Sequence, residues 1–189
     1  DELDGHYFLY ALYYDLVADT ESEKERVREH VRRLTDHIIE HGFQLMDHDG
    51  RPTRWARYSP KELNFDKNWF VERGLNSLSI LSYLITTAHI TGDDKYRDIA
   101  SILVNQHGYA QNMIDMKFQR GFGTGNQSDD EMAFMCYYNL VNYEQDPELR
   151  SRYAFSFWLA WQQEAPELNP FFNFAFMAAC QGLSFEDPW

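Results

Sequence analysis

Residues 75–107 read LNSLSILSYLITTAHITGDDKYRDIASILVNQH and contain both kinds of helix that the chain uses. The first part, Leu75 to Ile90, is apolar on nearly every side, which predicts a helix that other elements cover all round. After Gly92, the segment from Asp93 to His107 carries its apolar residues on one stripe, so this helix should keep one face in water. The stretch therefore predicts an antiparallel pair of one inner and one outer helix.

The same alternation precedes this pair. An apolar segment from about Glu2 to Ala18 is followed by an amphipathic segment that begins at Thr20. The Thr20 hydroxyl and the Glu23 carboxylate have the spacing of a capping box, and Gly42 closes the segment. These residues predict a first pair of inner and outer helices.

The alternation also continues after the central pair. An apolar segment from Met132 to Val141 is expected to be capped by Ser128, with Glu131 three residues on. Its amphipathic partner begins at Asp146, which precedes a proline at the first helical position. A last apolar segment, about residues 170–181, has no partner.

Repeated helix pairs indicate an all-α fold of consecutive antiparallel helical hairpins. YYDLV at residues 13–17 also matches YYNLV at residues 137–141, a trace of internal repetition. Such repetition favours a solenoid or a toroid-like arc over a four-helix bundle. A small β-hairpin is possible within residues 43–58, around the turn pair Asp49-Gly50. Residues 1–189 fit a single domain.

The connections between helices are unequal in length. Turns from inner to outer helices are short, whereas those from outer to inner helices are long, as at residues 42–68 and 113–127. Because successive helices are antiparallel, the long loops and the N-termini of the inner helices should gather at one end. That end should lie near Glu2, Arg73, Asp129 and Asn169, and it is where binding and catalysis are expected.

Composition excludes several classes of partner. The net charge is −13 with no long basic stripe, so nucleic acid is an unfavourable partner. The apolar runs near the termini are too short for a membrane span, and no membrane association is expected. Neither Cys136 nor Cys180 has metal-ligand spacing, so we expect neither a metal nor another cofactor. The heavy aromatic content, 14 Phe, 12 Tyr and 5 Trp, suits a packed core as well as a sugar-binding surface.

Four stretches resemble a group of bacterial hypothetical proteins of the six-hairpin glycosidase-like type. They are DELDGHYF, DGRPTRWARY, ERGLNSLSILSYL and GNQSDDEMAFMCYYNL, at residues 1–8, 49–58, 72–84 and 125–140. The helix pattern of nearly the whole chain also resembles the (α/α) toroids of six-hairpin glycosidases and related polysaccharide lyases. The resemblance implies a carbohydrate-active module, periplasmic or secreted if it acts on glycans. Because the pairs are too few to close a ring, it also implies an incomplete ring and a portion of a longer chain.

The resemblance supplies no catalytic motif, so the site residues are inferred from their own chemistry. The segment GFGTGNQSDDE at residues 121–131 has three glycines, which let a backbone approach a ligand, and Asn126 lies beside them as a candidate substrate-binding residue. Asp129 and Asp130 follow, and glycoside hydrolysis requires paired carboxylates. The alternative is that both acids only complement the dipole of the helix that they begin.

Glu2 and His6 are the other two candidate catalytic residues. They are four positions apart, so they share a helix face and could form an acid/base pair. The alternative is again that Glu2 only favours a helix N-terminus.

The candidate substrate-binding residues lie in the loops and at the ends of the apolar segments. Arginines bind carboxylates and indoles stack on sugar rings, although the arginines of residues 47–58 could instead pair with local aspartates. Asn173 lies within an aromatic run and needs a hydrogen-bonding partner. Besides Asn126, the set consists of Arg51, Arg54, Trp55, Trp69, Arg73, Asn76 and Asn173.

The leading hypothesis is a carbohydrate-active module, a glycoside hydrolase or polysaccharide lyase, acting on a carbohydrate or another small polar ligand. The alternatives are a non-catalytic helical-repeat module that binds a glycan or a protein, and a structural domain with no ligand. Carboxylates converging on a deep pocket would favour the first hypothesis. Self-association, or association with the remainder of a parent chain, is also expected, through apolar end helices that include Phe171, Phe172 and Phe176.

Overall fold

The computed structural model describes residues 2–116, 126–183 and 185. Over these residues the chain is all-α with one small antiparallel hairpin, as predicted. Short 3₁₀ turns lie at Lys67–Trp69, Met113–Asp115 and Ala165–Glu167. The elements in chain order are α1 (Glu2–Leu16), α2 (Glu21–Glu40), β1 (Gln44–Met46), β2 (Pro52–Arg57), α3 (Pro60–Phe65), α4 (Arg73–Thr91), α5 (Lys95–His107), α6 (Tyr109–Asn112), α7 (Gln127–Tyr143), α8 (Pro147–Glu164) and α9 (Pro170–Cys180).

Most of the predicted helix ends are confirmed. At the start of α2 the Glu23 amide donates to the Thr20 hydroxyl at 3.2 Å, and the Glu23 carboxylate accepts from the Thr20 amide at 3.0 Å. Gly92 ends α4 with a φ of 70°, the left-handed conformation that glycine adopts without strain. The Asp146 carboxylate accepts from two amides in the first turn of α8.

The start of α7 differs from the prediction. Asn126 is the N-cap, and its side chain accepts from the Ser128 amide at 3.3 Å. Ser128 therefore lies inside the first turn, and the predicted capping box of Ser128 with Glu131 is wrong. The reason is that Asn caps a helix as well as Ser does, so the earlier residue takes the position.

The three inner helices α1, α4 and α7 run in the same direction and pack on one another. α1 contacts both α4 and α7, which also contact each other. At their C-terminal ends, the Asp15 carboxylate lies 2.9 Å from the His89 Nε2 and accepts from the Tyr143 hydroxyl at 2.9 Å. Their N-terminal ends meet at the other end of the molecule, around the cavity described below. The predicted gathering of these N-termini at one end is confirmed.

Aromatic rings and a short hydroxyl chain fill the space between the inner helices and their partners. Tyr7 of α1 stacks on Tyr83 of α4 with ring centroids 4.2 Å apart. The Tyr7 hydroxyl lies 2.7 Å from the Thr35 hydroxyl of α2, which lies 2.7 Å from that of Thr87 on α4. Both Tyr7 and Thr35 are fully buried, so the chain satisfies polar groups that would otherwise destabilise the core.

The apolar end helix α9 is covered more fully than the sequence suggested. Phe172 and Phe176 were expected on an exposed flank, but both are buried, Phe172 against Phe134 and Phe176 against Trp161. That expectation is wrong because α7 and α8 cover this face of α9. Phe171 is half-buried. Association through the end helices stays a prediction. The large apolar residues that these two helices expose are Leu9 and Leu16 of α1 and Phe174 and Met177 of α9.

Within the described part of the chain, no helix combines the length and the apolar character that a membrane crossing needs.

Gly74 provides a test of how tightly the inner end of α4 is packed. A Cβ atom added there would lie 2.7 Å from the Met116 Cα and would also meet the Asp115 carbonyl, so backbone would have to move. We expect Gly74→Ala to lower the free energy of unfolding by about 2 kcal/mol or more in urea titrations.

The matched control is the other helical glycine near the cavity, Gly5 of α1. A Cβ there would meet only the Met135 sulfur at 3.9 Å, an ordinary contact. Gly5→Ala should be neutral or stabilising by up to about 1 kcal/mol, because alanine favours a helix over glycine. Equal effects of the two substitutions would contradict the close approach at Gly74.

Candidate functional site

A cavity of about 590 Å³ lies where the N-termini of the three inner helices meet. The β-hairpin and the residues that follow it form one wall, through Thr53, Arg54, Trp55, Ala56 and Tyr58. The size is within the range of small-molecule sites, which is about 300–1,000 Å³. The cavity therefore lies at the end of the molecule where the N-termini of the inner helices gather.

Four carboxylates line the cavity and come from three different helix starts. Glu2 and Asp4 begin α1, Glu72 precedes α4, and Asp129 lies in the first turn of α7. The N-terminal end of a helix carries a partial positive charge, which stabilises anions placed there. Arg54 is the one basic residue among the described lining residues. Among all the residues that the structure describes, no group of three or more His, Cys, Asp and Glu side chains has an arrangement suited to a metal ion.

Asp4 is the most deeply held of the four, with 5% of its surface exposed. Its Oδ1 accepts hydrogen bonds from the Tyr83 hydroxyl of α4 at 2.7 Å and from the Cys136 thiol of α7 at 3.0 Å. One carboxylate oxygen thus joins all three inner helices. Burial first and the Asp4 charge second raise the pKa of both Tyr83 and Cys136 well above the ordinary values, so both groups keep their protons and donate.

The hairpin presents an indole to the cavity. Trp55 is 51% exposed, and the Arg54 guanidinium lies 4.3 Å from the centroid of its ring. Trp69 contacts it edge-on with ring centroids 6.5 Å apart. The Asn76 amide of α4 donates to the Trp55 and Arg57 carbonyls at 3.0 and 2.9 Å, which fixes strand β2 over the helix.

Six of the predicted site residues line the cavity. Asp129 and Glu2 are the two of catalytic type, and the other four are Arg54, Trp55, Asn76 and Asn126. Trp69 is adjacent through its contact with Trp55. The predicted glycine segment at residues 121–125 lies outside the described residues.

The remaining predicted residues lie elsewhere. His6 is exposed on α1, with its ring stacked on Tyr10 at 5.8 Å, and it does not line the cavity. Asp130 is 2% exposed and engaged within the protein, and it does not line the cavity either. Three binding candidates have local partners: Arg51 pairs with Asp49, Arg73 lies over the Phe70 ring, and Asn173 accepts from the Trp161 indole N–H.

Sequence reasoning did not select Asp4, Glu72, Tyr58, Tyr83 or Cys136 as site residues. One signal pointed to Asp4: with Tyr7 and Ala11 it forms the spacing i, i+3, i+7, the buried stripe of α1. A carboxylate on such a stripe has to be hydrogen-bonded. Tyr83 and Cys136 gave no signal because they lie in runs that are apolar throughout.

Compared with protein-family models, with curated proteins and with solved structures, the chain matches none of them.

Asn76 should be a determinant of hairpin position. Replacing it with alanine removes two hydrogen bonds and leaves two carbonyls without their donor, so Asn76→Ala should lower the free energy of unfolding by about 1–3 kcal/mol. The control is Asn105→Ala, because Asn105 lies on the exposed face of α5. This substitution should change the free energy of unfolding by no more than about 0.5 kcal/mol. Urea titrations of both variants measure the difference, and equal values would contradict the role of Asn76.

The raised pKa of Cys136 predicts a loss of stability in alkali. The folded protein keeps this thiol proton, whereas the unfolded chain releases it above about pH 8.5. The contribution of the thiol to the free energy of unfolding is therefore complete below that pH and falls as the pH rises. For one such thiol the free energy of unfolding should fall by about 1.4 kcal/mol per pH unit.

Cys136→Ser is the matched variant, since it keeps a hydroxyl to donate to Asp4 but does not titrate in this range. Urea titrations between about pH 8 and about pH 10 should give it a shallower pH dependence than the native protein. Parallel curves for the two proteins would contradict the burial of an un-ionised thiol beside Asp4.

Proposed function

We propose that the protein is a carbohydrate-active module of the helical-hairpin type that resembles toroid glycosidases, and that its cavity hydrolyses a glycosidic bond. The observation that carries this proposal is the convergence of carboxylates from three helix starts on one cavity that also contains an exposed indole. The alternation of inner and outer helices supports the resemblance, and membership of a larger ring is part of the proposal.

The indole supports sugar binding. Sugar rings present C–H faces that pack on flat aromatic surfaces, and Trp55 keeps about half of its surface exposed at the cavity wall. Arg54, Asn126 and Ser128 line the same cavity and supply hydrogen-bonding groups for hydroxyls. A mixture of one large apolar surface and several polar groups is typical of a small-ligand site.

Glycoside hydrolysis uses two carboxyl groups, one to protonate the leaving oxygen and one to activate water or to stabilise the developing positive charge. Asp129 lies in the first turn of α7 and lines the cavity, and we assign it the role of base or charge stabiliser. Glu2 lines the same cavity and is assigned the role of proton donor. His6 and Asp130 have no place in this scheme, because neither lines the cavity.

Charge favours hydrolysis over elimination. A polysaccharide lyase acts on a uronate, whose carboxylate needs a positive partner. The chain as a whole carries a net charge of −13. A negative substrate would be repelled by this net charge, whereas a neutral sugar would not. We therefore propose a neutral glycan as the substrate.

The test is turnover of neutral glycans by the native protein and by Asp129→Asn. Release of reducing ends from xylan, mannan, starch and soluble cellulose should fall by a factor of about 100 or more, the usual effect of losing a positioned acid or base. Glu131→Gln is the control, because Glu131 is exposed on the same helix and lies outside the cavity. It should retain full turnover.

Other outcomes would favour other functions. Binding of a glycan without turnover by the native protein would favour the non-catalytic binding module. Formation of ultraviolet-absorbing unsaturated products from pectin or alginate would favour a lyase. Unchanged turnover in Asp129→Asn would contradict the assignment of Asp129.

A further inference from the structure

We propose that Asp4 is a further substrate-binding residue, which accepts a hydrogen bond from one hydroxyl group of the substrate, and that Tyr83 and Cys136 are positioning residues for Asp4. This inference rests on the proposed function for the identity of the ligand as a sugar. It adds a binding residue that belongs to neither member of the proposed acid and base pair.

The two oxygens of Asp4 have different surroundings. Oδ1 accepts from both the Tyr83 hydroxyl and the Cys136 thiol. No described residue donates a hydrogen bond to Oδ2. Asp4 is 5% exposed, and it is one of the residues that line the cavity. The part of its surface that remains accessible therefore faces the place where a ligand would lie.

A purely structural role explains only half of this arrangement. Joining α1 to α4 and α7 requires an acceptor, and the amide oxygen of an asparagine would serve as well as a carboxylate oxygen. Burying a full charge is unfavourable unless its oxygens receive donors. The second oxygen is left to be satisfied from the cavity, which is what a bound hydroxyl group does.

The neighbours of Asp4 fix its chemical role. Burial, with the nearby Asp4 charge, raises the pKa of Tyr58, Tyr83 and Cys136 well above their ordinary values, so these groups remain protonated. Tyr58, which also lines the cavity, meets the Tyr83 ring edge-on with centroids 5.7 Å apart. Asp4 is then the acceptor of the cluster, and the ligand group that it selects is a hydrogen-bond donor.

Asp4→Asn tests this role with little change in shape. The asparagine can keep its Oδ1 as acceptor for Tyr83 and Cys136, but it presents an N–H₂ donor in place of Oδ2. The probes are neutral disaccharides, namely cellobiose, xylobiose, mannobiose, maltose and chitobiose. Binding is followed by saturation-transfer NMR and calorimetry, neither of which requires turnover. We expect Asp4→Asn to weaken binding about tenfold or more.

Asp15→Asn is the matched control. Asp15 lies on the same helix and also accepts from a tyrosine hydroxyl, that of Tyr143, but at the opposite end of the molecule. The Asp15→Asn variant should bind the disaccharides as tightly as the native protein does.

Monodeoxy analogues of the disaccharide that binds identify the hydroxyl involved and test Tyr83. One analogue, lacking the hydroxyl held by Asp4, should bind native protein and Asp4→Asn equally. Tyr83→Phe should weaken binding of the parent sugar and leave that analogue unaffected, whereas a general structural defect would weaken both.

The outcomes separate this inference from the proposed function. Loss of sugar binding in Asp4→Asn, with no turnover by the native protein, would support Asp4 and overturn hydrolysis. Native-like binding by Asp4→Asn would overturn the inference even if Asp129→Asn abolished turnover. Failure of the native protein to bind any of the disaccharides would overturn the inference. If Asp4→Asn does not fold, a deoxy series in which no single change weakens native binding would overturn it.

Discussion

Every residue of α4 from Gly74 to Ala88 is buried, and the rest of the structure follows from that constraint. A helix with no wet face needs neighbours on all sides, and α1, α2, α5 and α7 supply them. Some of its polar side chains find partners inside, as Thr87 and Tyr83 do, whereas the buried Thr86 hydroxyl has no hydrogen-bond partner among the described residues. The polar groups that a ligand can reach lie at the N-terminal ends of the inner helices, where the cavity is.

The two ends of the inner cluster are built differently. At the C-terminal end, Asp15, His89 and Tyr143 pair among themselves, with the His89 ring stacked on Tyr143 at 4.1 Å, and they tie α1, α4 and α7 together. At the N-terminal end the acidic side chains face a cavity. Helix dipoles stabilise anions at this end, so carboxylates can be concentrated there at a smaller cost than elsewhere.

The cavity also depends on an element that contributes little to the core. The hairpin exposes Trp55 and Arg54, yet Asn76 holds its backbone against the buried helix. An indole carried by a loop would change position readily, whereas two hydrogen bonds from a rigid helix fix it. Below it, Asp4 joins the three helices through a single oxygen. Rigid walls and an accessible acceptor are features that a binding site shares with a catalytic one.

The sequence by itself determined the helix pairs, the end at which the inner N-termini gather, the hairpin, and six of the residues that line the cavity. These features follow from the spacing of apolar residues, from capping residues and from loop lengths, all of which are local properties of the sequence. It did not separate Asp129 from Asp130 or Glu2 from His6, because neighbours in a helix point in different directions and only packing decides which one meets the cavity. The tertiary structure alone decided the role of Asp4. Its partners Tyr83 and Cys136 are 79 and 132 positions away in the chain, and no local pattern records a hydrogen bond across that distance.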